Sequence, residues 1–119
     1  MNPFILRDSI YWSEIQTNLI TYINKWNNNS EITMEERLNL QNKVNRFCEK
    51  GTGFQHTLYK FVKQQLDFQS CLNDNKLNLF AKELEFLCSY LDEYYLKLHP
   101  KKKKTIYCIR DMYILYFHS

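Results

Sequence analysis

Glycine and proline are scarce in this chain, with only two of each among its 119 residues. These residues supply the tight turns of β-hairpins and the phosphate-binding loops of nucleotide-dependent enzymes. Their scarcity leaves little sequence from which a β-rich fold or a loop-built active site could form. No glycine-rich phosphate loop, dinucleotide-binding glycine motif, nucleophile elbow or calcium loop is present. We therefore expect no catalytic residues, no enzymatic activity and no cofactor.

Metal-binding patterns are missing as well. The four cysteines stand at positions 48, 71, 88 and 108, whereas structural zinc sites pair cysteines two to four residues apart. None of the three histidines belongs to a His-Glu-x-x-His motif. Cys48 and His56 could approach each other across a short turn, but no residue nearby supplies an orienting acid or an oxyanion site. We expect no metal site and buried, reduced cysteines.

We expect neither a secretory leader nor a membrane span from this sequence. Its N-terminal apolar run is too short for a signal peptide, and no run approaches the roughly 18 apolar residues of a transmembrane helix. Its 16 basic and 13 acidic residues give a net charge of only +3, which is too small to bind nucleic acid by overall charge. We expect an intracellular protein of the nucleus or cytoplasm.

Apolar residues recur at the three- and four-residue spacing of amphipathic helices. This pattern predicts an all-α fold, as a single compact bundle of four to five antiparallel helices formed by residues 1–119. The expected helices cover about residues 9–26, 34–50, 54–72, 76–98 and 105–117. The start of the last segment, residues 105–109, has an equal propensity for a strand.

Local signals indicate where these helices begin and end. Asn27–Ser30 should end the first helix, because asparagine tolerates the left-handed conformation. Thr33 and Glu36 have the spacing of a capping box, which predicts the start of the second helix. Gly51 is placed to end that helix, and Gly53 is expected to complete a short turn into the third helix.

The fourth predicted helix carries the strongest periodicity in the chain. Leucines recur every seven residues and are interleaved with further apolar residues, namely Leu77, Phe80, Leu84, Leu87, Leu91, Tyr94 and Leu98. Such coiled-coil-like heptads form either a leucine-zipper dimer or the seam that receives neighbouring helices within one bundle. Because three other amphipathic helices are available nearby, we favour packing within the chain.

Aromatic residues make up 16% of the sequence, with nine tyrosines, eight phenylalanines and two tryptophans, which exceeds what a core of this size needs. Tyrosine and tryptophan are enriched at binding hot spots, and helical bundles bind partner helices in apolar grooves. We therefore expect a protein-interaction module, acting as an adaptor, complex subunit or inhibitor, whose partner is another protein, a helical peptide or a second copy of the chain. The candidate partner-binding residues are Trp12, Trp26, Tyr59, Tyr94, Tyr95 and Tyr113.

One strongly basic segment runs through Lys101, Lys102, Lys103 and Lys104. It is interpreted first as a solvated loop between two helices, second as a nuclear-localisation segment, and third as a site for nucleic acid or anionic lipid. In the nucleic-acid alternative, Tyr95, Tyr107 and Arg110 would supply stacking or phosphate contacts. A further alternative is a virus-encoded helical decoy of host signalling, although the Asn-Trp-Gly-Arg segment of apoptosis-regulator bundles is missing.

Overall fold

The computed structural model describes the backbone of residues 3–72 and 74–91, and side chains at 10–69, 71 and 76–91. Helices account for nearly all of this backbone. Four α-helices occur in these ranges: α1 (Pro3–Asn27), α2 (Met34–Cys48), α3 (Thr52–Leu72) and α4 (Asp74–Leu87). The described residues contain no strand, so the expected all-α class is confirmed for them. The predicted helix at 105–117 lies outside the described residues.

The helix ends differ from the predicted ones at several places. Helix α1 begins at Pro3 rather than near residue 9, which suits a proline because its fixed φ favours the first helical turn. Helix α3 begins at Thr52, so Gly53 lies inside its first turn and does not complete the preceding loop. Helix α4 ends at Leu87, Cys88 is a turn residue, and residues 89–91 are again helical, with the Leu91 amide donating to the Cys88 carbonyl. Residues 92–98 of the longer predicted helix lie outside the described residues.

The start of α2 follows half of the predicted capping box. Thr33 is the N-cap, and its hydroxyl accepts a hydrogen bond from the Glu36 amide at 3.1 Å. The Glu36 carboxylate does not return to Thr33 as expected but pairs with Lys25 Nζ on α1 at 2.9 Å. The same residue therefore helps to cap α2 through its backbone and connects α2 to α1 through its side chain.

The two short connections around α2 use the residues that their backbone requires. Asn29 has a φ of 57°, as expected for the asparagine that follows the end of α1. Gly51 has a φ of 150°, which L-residues rarely adopt, and it separates α2 from α3. These positions connect α1 to α2 and α2 to α3 within a few residues.

A single apolar core joins all four helices. Its members on α4 and in the residues just after it are the heptad residues Leu77, Phe80, Leu84, Leu87 and Leu91, each at most 2% exposed. They pack in one cluster with residues of the other helices, including Leu19 on α1, Val44 on α2, and Leu58 and Leu66 on α3. The described part of the heptad seam is thus buried within the chain, as the intramolecular interpretation predicts.

Three polar side chains join α1, α2 and α4 at the edge of this core. The Tyr22 hydroxyl donates to the Glu83 carboxylate, and Arg37 Nε donates to Tyr22 Oη at 3.2 Å and to Glu83 Oε1 at 3.0 Å. Burial raises the pKa of Tyr22 to about 12, and the hydrogen bond to Glu83 acts in the same direction. The hydrogen bond to Tyr22 and the Glu83 charge raise the pKa of Arg37. Tyr22 and Arg37 therefore both stay protonated at neutral pH, as their roles as hydrogen-bond donors require.

Candidate functional site

The two tryptophans proposed as partner-binding residues are anchored in the core and keep an accessible edge. Trp12 is half-buried, with its ring centroid 5.7 Å from that of Phe47 and 5.5 Å from that of Phe61. Trp26 is also half-buried, and its ring lies 5.3 Å from that of Phe80. Each ring thus has one side that stabilises the bundle and another that solvent or a partner can reach.

Tyr59 was expected to be an exposed partner-binding residue, but the structure buries it. It is 6% exposed and belongs to the core cluster, because it shares the inward face of α3 with Leu58 and Val62. The other candidates, Tyr94, Tyr95 and Tyr113, lie outside the described residues, as does the basic segment Lys101–Lys104. Within the described part of the chain, Trp26 is the candidate ring that lines a groove.

The groove beside Trp26, here called the Trp26 groove, has a volume of about 300 Å³. It is formed by the end of α1, the loop that follows, the start of α2 and the start of α4. Its apolar residues are Trp26, Ile32 and Leu79, and its charged residues are Arg37 and Lys76. The described lining includes no carboxylate, so the groove combines an apolar wall with positive charge.

Next to this groove, α2 and α4 lie side by side and leave large apolar side chains exposed. Two hydrogen bonds join the helices: Arg37 Nε to Glu83 Oε1 at 3.0 Å, and Gln41 Nε2 to the Phe86 carbonyl at 2.8 Å. The 3.6-residue helical period places Met34 and Leu38 just outside these contacts on α2, and Leu79 and Phe86 just outside them on α4.

The surface formed by these four apolar residues is here called the seam face. Met34 is 60% exposed, Leu38 45%, Leu79 57% and Phe86 37%. Leu79 also lines the Trp26 groove, so the groove and the seam face are continuous. An exposed apolar surface of this kind, flanked by charged residues, is typical of a binding site.

Sequence reasoning missed the residues of the seam face. On α2, Leu40 and Val44 occupy the core and leave Leu38 outside it. On α4 a usable signal exists: Leu79 and Phe86 are seven residues apart and fall at neither of the two apolar heptad positions. Large apolar residues that recur outside the buried seam of a helix indicate a second apolar surface.

The cysteines offer no reactive site among the described residues. Cys48 and Cys88 are fully buried, Cys71 is exposed, and none of the three forms a disulfide. Burial, followed by the nearby Glu49 charge, raises the pKa of the Cys48 thiol to about 12. A thiol with so high a pKa stays protonated at neutral pH and is a poor nucleophile, which removes the basis for a pairing of Cys48 with His56.

The described residues provide neither a metal site nor a membrane-spanning helix. No group of three or more histidine, cysteine, aspartate or glutamate side chains is placed to hold a metal ion in these ranges. No helix in them combines the length and the apolarity that crossing a bilayer requires.

Comparison of the chain with models of protein families, with curated proteins and with solved structures finds no match. The functional inference therefore depends on the geometry alone.

Proposed function

We propose that this chain is a non-enzymatic protein-interaction module that binds a helix of another protein along the seam face. The observation that carries the proposal is the set of four large apolar side chains exposed on both sides of the contact between α2 and α4. The core of the described fold is already complete without them, since the buried cluster contains none of the four. Their burial therefore remains available to a partner.

We infer a bundle in which α1 and α2 are antiparallel while α2 and α4 run in the same direction. In support, Tyr11 lies near Lys50 while Lys25 pairs with Glu36, so contacts on α1 and α2 proceed in opposite directions. The contacts of Arg37 with Glu83 and of Gln41 with Phe86 proceed in the same direction. Two aligned helices bound a shallow lengthwise groove that suits a third helix.

The dimensions of the seam face favour a helical partner. Leu79 and Phe86 are seven residues apart on α4, which is about 10.5 Å along the helix axis. A partner helix that presents apolar residues at positions i, i+3 or i+4, and i+7 covers the same distance. Lys76 at the Trp26 groove favours a carboxylate on that helix, next to the apolar residue that contacts Trp26, whereas Arg37 is already paired with Glu83.

Site-specific cross-linking followed by reconstitution tests this proposal. A photoreactive benzoylphenylalanine is placed at Leu38, at Leu79 or, as a control, at Phe68, which is 60% exposed on α3. We expect one protein from the source cells to be captured from positions 38 and 79 but not from 68. The captured protein is then produced in pure form, and its affinity for the chain is measured by titration calorimetry.

Charge substitutions then establish which surface carries the affinity. Leu38→Asp combined with Leu79→Asp should weaken binding roughly tenfold or more, because it places charges in a desolvated apolar contact. The matched control combines Phe68→Asp with Ile20→Asp, two exposed apolar residues on α3 and α1, and should retain the affinity. Circular dichroism and the melting temperature verify that both proteins fold. Equal weakening by the two pairs, or capture of no common protein, would refute the proposal.

The function proposed for Lys101–Lys104 in nucleic-acid binding has no support from the described residues and remains a prediction from the sequence.

A further inference from the structure

A second groove, here called the basic groove, lies between α1 and α2 on the side of α2 away from α4. Its volume is about 310 Å³. Its walls carry Tyr11, Glu14 and Asn18 from α1, and Lys43, Arg46 and Lys50 from α2 and the turn after it. The core residues Ile15 and Phe47, 5% and 4% exposed, supply an apolar floor.

The three cations line one wall of this groove. Lys43 and Arg46 lie about one turn apart on the same face of α2, and Lys50 follows in the turn after the helix. The ion pairs among the described side chains join Lys25 to Glu36 and Arg37 to Glu83, so they leave these cations without a described carboxylate partner. Lys50 Nζ lies 4.1 Å from the centre of the Tyr11 ring, and Glu14 is the one carboxylate among the described lining residues.

The dipole of α2 explains only part of this arrangement. A cation near a helix C-terminus is favoured because the last carbonyls are negative, and this effect is confined to the last turn. Arg46 lies in that turn and Lys50 follows it, but Lys43 lies further back. The dipole also does not require a concave wall that faces an amide and a phenol on α1. A negatively charged ligand would account for both features.

We propose that the basic groove binds an acidic peptide segment of a partner protein. Two or three carboxylates would pair with Lys43, Arg46 and Lys50, an apolar side chain of the peptide would contact Ile15 and Phe47, and Asn18 can hydrogen-bond the peptide backbone. This mode of recognition uses a cluster of basic side chains for an acidic motif. It is separate from the seam face, because the two surfaces lie on opposite sides of α2.

The observations favour a peptide over a nucleic acid. Nucleic acids are bound by extended basic surfaces that contact many phosphates, with affinity that depends steeply on salt. The basic groove presents three cations over a short distance, one opposing carboxylate and an apolar floor. An acidic peptide with interspersed apolar residues complements both the charge and the floor.

Fluorescence anisotropy tests the proposal directly. The probe is a fluorescein-labelled ten-residue peptide of alternating Glu and Leu, titrated with the full chain at physiological salt. The triple variant Lys43→Glu, Arg46→Glu, Lys50→Glu should weaken its binding roughly tenfold or more. The single variant Glu14→Gln should strengthen binding, roughly twofold to fivefold, because it removes the one described carboxylate in the groove.

A matched control separates the groove from overall charge. Lys60, Lys63 and Lys82 are exposed lysines on α3 and α4, and their replacement by Glu changes the net charge of the chain by the same amount. This control should bind the peptide within about twofold of the parent chain. Circular dichroism at the titration temperature verifies the fold of every variant, and Glu14→Gln provides a gain of binding that misfolding cannot produce.

The remaining outcomes overturn the proposal. Absence of peptide binding, or equal weakening by both triple variants, would show that the groove has no specific role. A single-stranded oligonucleotide or an anionic phosphatidylserine vesicle that competes at the groove and binds more tightly than the peptide would assign it to that other ligand. Variants of Leu38 and Leu79 leave the basic groove intact, so failure here and failure of the seam-face proposal are distinguishable.

Discussion

At the scale of single residues, burial raises the pKa of two side chains whose sequence context gives no sign of a shift. Cys48 and Tyr22 both have a pKa raised to about 12, in each case mainly because the charged form would lose its hydration. Cys48 is a small apolar residue of the core, whereas the Tyr22 hydroxyl also donates a hydrogen bond to Glu83. Neither role could be predicted from the sequence, because each depends on which distant side chains come into contact.

These raised pKa values predict a loss of stability in alkali. Above pH 9 for the thiol and above pH 10 for the phenol, the unfolded chain releases protons that the folded chain retains up to about pH 12. The unfolded state then binds fewer protons, so the free energy of unfolding falls as pH rises, by up to about 1.4 kcal/mol per pH unit for each group. Both contributions are complete below pH 9 and are lost as the pH approaches 12.

Urea unfolding at several pH values between 8 and 11 measures this slope. Cys48→Ala should flatten the slope above pH 9, and Tyr22→Phe should flatten it above pH 10, even though each substitution also lowers the stability at neutral pH. Cys71→Ala is the matched control, because Cys71 is exposed. If Cys71→Ala flattened the slope as much as Cys48→Ala, burial of Cys48 would not be the cause.

At the scale of elements, the two glycines, only two positions apart, serve different roles. Gly51, with a φ of 150°, occupies a conformation that a side chain disfavours, although an added Cβ would meet only Phe54 Cδ2 at 3.9 Å. Gly53 lies in the first turn of α3, and a Cβ there would meet nothing within 4 Å. The constraint at Gly51 therefore comes from the backbone, and Gly53 carries no such constraint.

Alanine substitution at these glycines should change stability in opposite directions. Gly51→Ala should lower the free energy of unfolding by about 1–3 kcal/mol, because it forces an L-residue to a disfavoured φ. Gly53→Ala should raise it by roughly 0.5–1 kcal/mol, because alanine loses less conformational entropy in a helix. Chemical denaturation of both variants measures the two changes, and the same sign for both would contradict the assignment of Gly51 to the turn and Gly53 to the helix.

The sequence predicted well that the described elements are helices, and it predicted less well where each helix begins and ends. The heptad of α4 predicted its buried face through Leu91, because a strict period specifies which side of a helix is apolar. The start of α1 at Pro3 was missed, because the sequence predicted this helix only from about residue 9. The partner of Glu36 was missed because Lys25 belongs to another helix, and helix packing has no local sequence signal.

At the scale of the whole molecule, the candidate site depends on packing rather than on local pattern. Aromatic content drew attention to Trp26, which lines a groove, and also to Tyr59, which packing places in the core. Leu38 and Leu79 are ordinary leucines in the sequence and become a candidate surface only because α2 and α4 lie side by side. A residue is exposed or buried according to its neighbours in space, and the sequence alone specifies only its neighbours along the chain.

The two tryptophans allow a test of whether this core unfolds as one unit. Trp12 contacts Phe47 and Phe61, while Trp26 contacts Phe80, and their positions are about 21 Å apart along α1. One buried cluster joins all four helices. The variant Trp26→Phe keeps only Trp12 as a fluorescent probe, and Trp12→Phe keeps only Trp26. In each variant, the urea transitions followed by fluorescence and by far-ultraviolet circular dichroism should have the same midpoint. A fluorescence midpoint that differs from the circular dichroism midpoint in either variant would mean that one end of the bundle unfolds first, and the chain would then contain two cooperative units.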